Sequence, residues 1–490
     1  MSEGKIIEIY NQGISQVIDT IKMLSNQIKE QNSKIDKLCK DNKTLNERVK
    51  SLESQVNKNS NNSSKPPSSD GFKKKTKSLR TKSGKKPGGQ EGHEGTTLCL
   101  NDNPDEIEIH NVEQCTECGA FLKDVSPERY IIRQIIDIPN IKVKIVEHRA
   151  EVKICPHCKS KNTASFPEEI KNTVQYGEQL KAIAVYLTQY QLIPYKRGVE
   201  LIEDLFNIHL SQGSMVTFNQ SCHDKLEAIT NKIRNCLTSS TKAVHFDETG
   251  MYIDKKRQWL HVASNENLTY YECHEKRGKK AIDDITILPN FTGTAVHDGF
   301  KTYYKYTKCN HALCNAHILR ELNGITELQG QNWAKLMKNL LLEIKKEVDL
   351  DNDKHNTLPL DKIQDFESKY DKILKAGFDE DYAKNVELYS KKKVKKSVSL
   401  NLLNRLSGYK DQVLAFMYDF DIPFDNNLAE RDLRMAKVKQ KISGTFRSSS
   451  GANAFTRIRG YVSTVRKQGK NALDCIKSTF TVNPFDPTLT

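Results

Sequence analysis

Asp425-Asn-Asn-Leu-Ala-Glu-Arg-Asp-Leu-Arg434 sets acidic groups at the head of a strongly basic segment. From Arg431 to Lys470 there are eleven lysines and arginines against one acid, Asp432. Carboxylates beside so many cations fit two readings. They are ion pairs on a solvated helix, or they hold a metal where a polyanion is gripped. The rest of the chain bears on that choice.

At 490 residues the chain has room for roughly three or four domains. A net charge of +14 and a pI of about 9.0 favour a polyanionic partner, most often nucleic acid. No apolar run reaches the roughly eighteen residues of a spanning helix. The start, MSEGKIIEIY, lacks an apolar signal core, so a cytoplasmic protein is expected. Of twelve cysteines, four form two CxxC pairs, which suggests metal in a reduced compartment rather than disulfides.

Residues 14–56 carry a heptad repeat. Ile14, Ile21, Ile28, Ile35, Val49 and Val56 occupy position a, and Val17, Leu24, Leu38, Leu45 and Leu52 occupy position d. Gln31 and Asn42 interrupt the seam. β-Branched residues at a with Leu at d favour a parallel two-stranded coil, and a buried Asn at a fixes its register. The alternative is an amphipathic helix folded onto its own domain. A linker follows, rich in turn formers. Between Lys65 and Lys86 it holds nine Lys and Arg, including Lys73, Lys74 and Lys75, against one acid, Asp70. Such an arm can lie along phosphates, or serve as a solubilising tether. His93, in the glycine-rich stretch Lys86–Gly95, is a weak ligand candidate.

Cys115-Thr-Glu-Cys118 and Cys155-Pro-His-Cys158 each present two thiolates from one turn, and together supply four tetrahedral ligands for structural zinc. His157 is expected beside that site, not in it. Between the turns, Ile131–Val146 reads as a β-hairpin around Pro139-Asn140. Helical spacing follows at Leu180–Leu187 and after Pro194, then a polar turn at Leu210-Ser-Gln-Gly and another helix. That is compatible with a DNA-reading helix-turn-helix, and equally with plain packing.

From Thr241 the pattern becomes α/β. Strands are expected at Ala243–Phe246, Trp259–Ala263, Leu268–Cys273, Gly293–Val296 and His311–Cys314, with a helix at Lys279–Leu288. This predicts a mixed sheet with helices on both faces. Asp247 and Asp298 each follow a short apolar strand, and neighbouring strands would set them side by side. Two like charges there call for a cation, and oxygen ligands suit Mg²⁺ or Mn²⁺. A third carboxylate must come from elsewhere, and the stretch Asp425–Arg434 is the obvious source, Asp425 being a cap or turn residue where Glu430 supplies it. A strand-end Asp is otherwise a turn former.

The ordered set Ser64-Lys-Pro-Pro-Ser-Ser-Asp70, Lys86-Pro-Gly-Gly-Gln-Glu-Gly-His93, both CxxC pairs, Asp247-Glu-Thr249, Asp298-Gly-Phe300, Cys314-Asn-Ala-His317 and Asp425-Asn-Asn-Leu-Ala-Glu-Arg431 resembles transposases of the insertion-sequence-66 family, a branch of the DDE transposases. The resemblance runs from the heptads to about Ile476. It implies an RNase H-like core with a helical insertion before the last acid, with Asp247, Asp298 and Glu430 holding Mg²⁺ or Mn²⁺. It further implies cleavage at transposon ends and strand transfer into target DNA. Arg431, Arg434, Lys437, Lys439 and Lys441 are expected to contact flanking phosphates, a subset of them from one helix face. Two departures stand out. Phe300 replaces the more usual Tyr, and Ile318-Leu-Arg320-Glu321 keeps one Arg where two are usual. His317 and Cys314 are expected beside the core in a structural or DNA-positioning role.

The implied organisation is a coiled coil (1–58), a basic linker (59–95), a zinc module (96–172) and a helical DNA-binding domain (173–240). The core begins at 241–325, is interrupted by an insertion (326–420), and closes with a final helix and basic region (421–490). Partners are transposon-end and target DNA, a second copy through the coil, and accessory proteins of the same element. A transposase-derived DNA-binding regulator with an inactive core is the competing reading.

Overall fold

The computed structural model describes residues 2–63, 98–139, 141–351, 355–389, 396–481 and 484–488. The basic arm with Lys73, Lys74 and Lys75 and the two motifs spanning 64–70 and 86–93 lie outside them. The described residues fall into two compact units, one within Met1–Lys77 and Asn219–Thr490, the other within Ser78–Phe218. No helix among them is long and apolar enough to cross a membrane.

Helix α1 (Glu3–Asn11) is followed by α2 (Ile14–Val56), a single helix of 43 residues. Its sequence holds no Pro or Gly to break it. The heptad seam is uncovered, with Ile14, Ile21, Ile28, Ile35, Leu38, Leu45 and Leu52 all exposed. In the second unit, β1 (Val152–Ile154) and β2 (Lys161–Thr163) form a short antiparallel pair around the second CxxC. The hairpin expected at Ile131–Val146 is not there: no strand occurs among its described residues. Ile131, Ile135 and Ile145 stay exposed. Strand preference reflects a fit to a half-buried pleated surface, and without that surface the pattern alone does not pair. Helices α3 (Glu178–Val185), α4 (Tyr195–Phe206) and α5 (Gln212–Lys225) follow the expected spacing. α4 ends on Asn207 at φ 50°, a left-handed position that Asn tolerates, and a short turn leads into α5.

In the first unit, α6 (Glu227–Ser239) precedes a five-stranded sheet. Its strands are β3 (Val244–Ile253), β4 (Lys256–Ser264), β5 (Thr269–His274), β6 (Thr294–His297) and β7 (Asn310–Leu313), with α7 (Lys279–Ile285) and α8 (Ile287–Asn290) between β5 and β6. The order is β5-β4-β3-β6-β7, antiparallel along β3–β4–β5 and parallel along β3–β6–β7. Asp254 and Lys255, both at positive φ, make the tight β3–β4 turn. Thr286, at φ 68°, splits the single helix expected at Lys279–Leu288 into α7 and α8.

One expectation about β3 needs correcting. Asp247 does not follow the strand but lies inside it, because β4 pairs with β3 from His245 to Ile253. Parallel β6 covers only Val244 and His245, in register with Ala295 and Val296. Two residues further along that register, Asp247 and Asp298 fall opposite each other where the parallel pairing ends.

Beyond β7, α9 (Asn315–Gln329), α10 (Asn332–Asp351), α11 (Leu360–Tyr389), α12 (Val398–Gly408) and α13 (Lys410–Tyr418) enclose their own apolar core. Trp333, Tyr370, Leu341, Leu403 and Met417 lie at its centre. The buried Trp333 indole donates to Gln331 and to Ser399 Oγ, 3.2 Å away, so its one polar atom is satisfied. The chain returns as α14 (Asn427–Ser443) and α15 (Ser449–Lys467), which pack on β3, β4 and β5, and ends with α16 (Ala472–Ser478).

The turn after α2 docks on α9. Asn62 Nδ2 donates to Glu327 Oε2 at 3.0 Å, and Asn323 Nδ2 donates to the Asn61 carbonyl at 3.3 Å. A Cβ at Gly324 would run into the Asn62 carbonyl oxygen. This explains a glycine in the middle of a helix, where it otherwise costs about 1 kcal/mol relative to Ala. Gly324→Ala should therefore lift the turn off α9, read as faster proteolysis at residues 57–63 despite the better helix former. His261 gives a second test. Burial lowers its pKa to about 4, so the unfolded chain protonates first as pH falls below about 6.5. Stability is full above that pH, and up to about 3 kcal/mol is lost between pH 6.5 and 4. His261→Gln should shrink that acid loss in melts at pH 7 and 4.5.

Candidate active site

Residues on β3 alternate between the two sheet faces. Asp247 shares a face with Val262 and Tyr271, the face on which α14 packs. Glu248 shares the other with His261. Asp298 follows β6 directly, and its Oδ1 accepts the Phe300 amide at 2.9 Å. Glu430 stands in the first turn of α14. The proton affinity of Asp247 is raised well above the carboxylate range, first by burial, then by the charges of Glu248, Asp298 and Glu430. Asp298 and Glu430 thus both act on Asp247, but among the described residues the three expected acids are not gathered within ligating distance of one another.

Asn426 sets the position of α14. It is 1% exposed and makes three hydrogen bonds beyond α14, two to β3 and one to the cap of α9. Its Nδ2 donates to the Phe246 carbonyl at 2.9 Å, and its Oδ1 accepts from His245 Nδ1 at 2.7 Å. Its backbone N–H donates to Cys314 Sγ at 3.1 Å. One turn later, the Glu430 amide closes on the Asn426 carbonyl at 3.2 Å. Asp425 accepts the Asn427 amide at 3.0 Å, the turn role expected of it. The start of α9 is stitched to the same place, with Cys314 N donating to His297 O at 2.9 Å and Asn315 N to Phe424 O at 3.0 Å.

Glu430 also faces α9. His317 Nδ1 lies 3.6 Å from one of its oxygens and Arg320 Nη2 lies 3.7 Å from the other. His317 Nδ1 and Glu430 Oε1 are buried and have no hydrogen-bond partner among the described residues. Cys314, His317 and Glu430 bring one ligand atom each within 4.8 Å of one another. Burial pushes the Cys314 thiol up to about 12, so it stays protonated, and a guanidinium sits beside the carboxylate. That set suits holding Glu430 in place better than binding a soft metal.

His297, next to Asp298, belongs to a neutral relay. The Gly299 amide donates to its Nδ1 at 3.0 Å, and its Nε2 meets His311 Nδ1 at 3.0 Å. His311 Nε2 donates to the Tyr306 carbonyl at 3.0 Å. Burial lowers the His297 pKa to about 3, which keeps the relay uncharged beneath the Asp298 loop.

The basic residues of α14 divide by face. Arg431, Arg434, Lys437 and Lys441 are exposed, whereas Lys439 is half-buried. Asp432, the lone acid among them, is not a surface ion pair. Its side chain is 8% exposed and pairs with Lys467 Nζ at 2.9 Å, tying α14 to α15. Tyr271 donates to the Asp432 carbonyl at 2.8 Å.

The CxxC turns share one hydrogen-bond pattern. Cys115 N donates to Ala120 O and Gly119 N to Cys115 O, as Cys155 N does to Ser160 O and Lys159 N to Cys155 O, all at 2.8–2.9 Å. Gly119 and Lys159 both take positive φ to close the turn. Amide and thiol donors lower the pKa of Cys115, and the Ser160 hydroxyl leads in lowering that of Cys158 to about 7. Thiolates so favoured fit zinc. The two pairs are not gathered into one group: among the described residues only Cys314, His317 and Glu430 meet that closely.

Sequence reasoning assigned no role to Asn426, although it stood inside the quoted motif, nor to Glu248. Asn426→Ala would strand the Phe246 carbonyl and His245. It should cost about 2–3 kcal/mol in urea unfolding.

Comparison with known proteins agrees with this layout. Residues 113–159 match the zinc-finger binding domain of transposase IS66, and residues 20–98 match a family of unknown function. The chain is 41% identical over 68 residues to the uncharacterized protein y4jO of Sinorhizobium fredii, covering 14% of this chain and 21% of that protein. It thus spans about a fifth of that relative's length. Residues 173–454, more than half of the 490, match the model of the transposase IS66 family, and the chain belongs to that family.

Proposed function

We propose that the protein is a DNA transposase that cuts transposon ends and joins them to target DNA, using Asp247, Asp298 and Glu430 on an RNase H-like core. What supports the reading is that β3, the end of β6 and the first turn of α14 bring Asp298 and Glu430 near enough to Asp247 for their charges to raise its proton affinity. Like charges near one another are costly without a cation. As hard oxygen donors the carboxylates fit Mg²⁺ or Mn²⁺. Bound there, such ions would polarise the phosphodiester and offset the charge that develops during in-line displacement.

The chain's own residues do the remainder. Asn426 holds Glu430 in register with β3. His317 and Arg320 keep the Glu430 carboxylate turned toward α9. Arg431, Arg434, Lys437 and Lys441 offer a cationic stripe at spacings of three, three and four, so one face of α14 follows a phosphate backbone. The arm with Lys73, Lys74 and Lys75 adds sequence-independent affinity. Lys439 is better placed for packing. Cys115, Cys118, Cys155 and Cys158 hold structural zinc in a module between the arm and the α3–α5 helices, and those helices form a DNA-binding domain. The exposed heptad seam of α2 takes a second copy as a parallel coiled coil. Work on DNA places the protein in the cytoplasm at the nucleoid, where accessory proteins of the same element would meet it.

The test is strand nicking on DNA cloned from the flanks of the reading frame. Wild-type protein should nick with Mg²⁺ and not with EDTA. Asp247→Asn should show no nicking above the protein-free control while retaining DNA in a mobility shift. Nicking by that variant at the wild-type rate refutes the assignment.

A further inference from the structure

The face of the sheet opposite Asp247 carries a group of cations that the carboxylate site does not use. Glu248 is buried, its side chain 1% exposed, and it accepts from Arg277 Nε at 2.7 Å and from the Tyr303 hydroxyl. The Arg277 guanidinium lies 5.0 Å from the Trp259 ring centre and 4.3 Å from that of Phe300. It is therefore held by a buried anion and by two aromatic faces. Its two Nη groups have no hydrogen-bond partner among the described residues, and the side chain is 39% exposed. Phe300 belongs to the loop begun by Asp298, so the held guanidinium adjoins the second acid.

More positive charge gathers at this place. Arg257 lies 4.7 Å from the same Trp259 ring. Gly250 stands opposite Trp259 in the β3–β4 register, and a Cβ there would meet the Arg257 guanidinium at 3.2 Å. Lys437 donates to the Gly250 carbonyl. Its pKa is lowered, first by burial and then by the charge of Arg257. Arg257 and Arg277 thus share the Trp259 ring, and of the two only Arg277 has a carboxylate, Glu248, against it. Like charges so placed repel in the free protein, and a bound anion relieves them. A stacked guanidinium with free Nη donors is a geometry suited to phosphate.

We propose that Arg277, stacked on Trp259 and Phe300 and anchored by Glu248, forms with Arg257 a phosphodiester-binding site for the DNA strand beside the carboxylate cluster. The proposal rests on the transposase reading for the identity of the polyanion. It gives Asp247-Glu248 a division of labour. The first residue belongs to the acid cluster on one face, and the second orients a phosphate clamp on the other. It also accounts for Phe300, since the contact needs an aromatic ring and no hydroxyl.

The experiment is equilibrium binding of a labelled duplex from the flanks of the reading frame, by the full chain across a NaCl series. Each lost phosphate contact lowers the slope of log K against log salt by about one. Arg277→Gln and Arg257→Gln should each bind several-fold more weakly with a slope smaller by about one, and Arg277→Lys should restore the slope. Arg257 is exposed, so Arg257→Gln decides the matter if Arg277→Gln does not fold. Slopes equal to wild type in the folded variants overturn the proposal, as does a lowered Tm for Arg277→Gln with an unchanged slope, which marks a purely structural tie. A slope loss in a protein that never nicks DNA would sink the catalytic reading and leave the binding site standing.

Discussion

A single buried amide forces helix and sheet into register. Asn426 is asked to donate to one backbone carbonyl and accept from one imidazole in the same plane. Asn offers both capacities without charge. An aspartate there would add a further carboxylate beside three that already repel, and would lose the donor. An alanine would leave buried polar groups unpaired. α14 could pack on the sheet in several rotations through Ala429, Leu433 and Ala436, all small or flexible enough to slide. The amide removes that freedom, and the buried Asp432–Lys467 pair removes it again two turns along by joining α14 to α15. A buried ion pair is a weak source of stability but a strict one geometrically, since either partner alone would be stranded.

Much of this was legible in the sequence, for identifiable reasons. Asp247 and Asp298 stood out because each follows a short apolar stretch, and Glu430 because of the family motif around it. The cysteine turns stood out because their spacing is itself the chemistry. The exposed stripe on α14 follows from helical spacing, which also separates Lys439 from Arg431, Arg434, Lys437 and Lys441. Other features depend on tertiary pairing that no local pattern encodes. The length of β3 was set by β4, so Asp247 came to lie inside a strand. Alternation at Ile131–Val146 promised a hairpin, but a period of two becomes a strand only against a surface. Arg277 was invisible because its partners, Glu248, Trp259 and Phe300, come from three separate stretches.

The sheet also keeps its two neighbouring acids apart by geometry alone. Successive residues of β3 point to opposite faces, so adjacent acids need not share a task. Asp247 joins the α14 side, and Glu248 is neutralised by Arg277 and Tyr303 on the other. The neutral His297–His311 relay lies under the same strand ends and adds no charge to a place already crowded with it.

The docking of Asn61 and Asn62 on α9 has a mechanical corollary. A helix of 43 residues is about 64 Å long at 1.5 Å per residue. Pinned at one end, it is a lever arm whose far end moves about 11 Å for each 10° of rotation at the pin. Its fulcrum rests on the helix that carries His317 and Arg320 against Glu430. Torque applied along α2 is therefore delivered within two turns of the residues that hold the last acid.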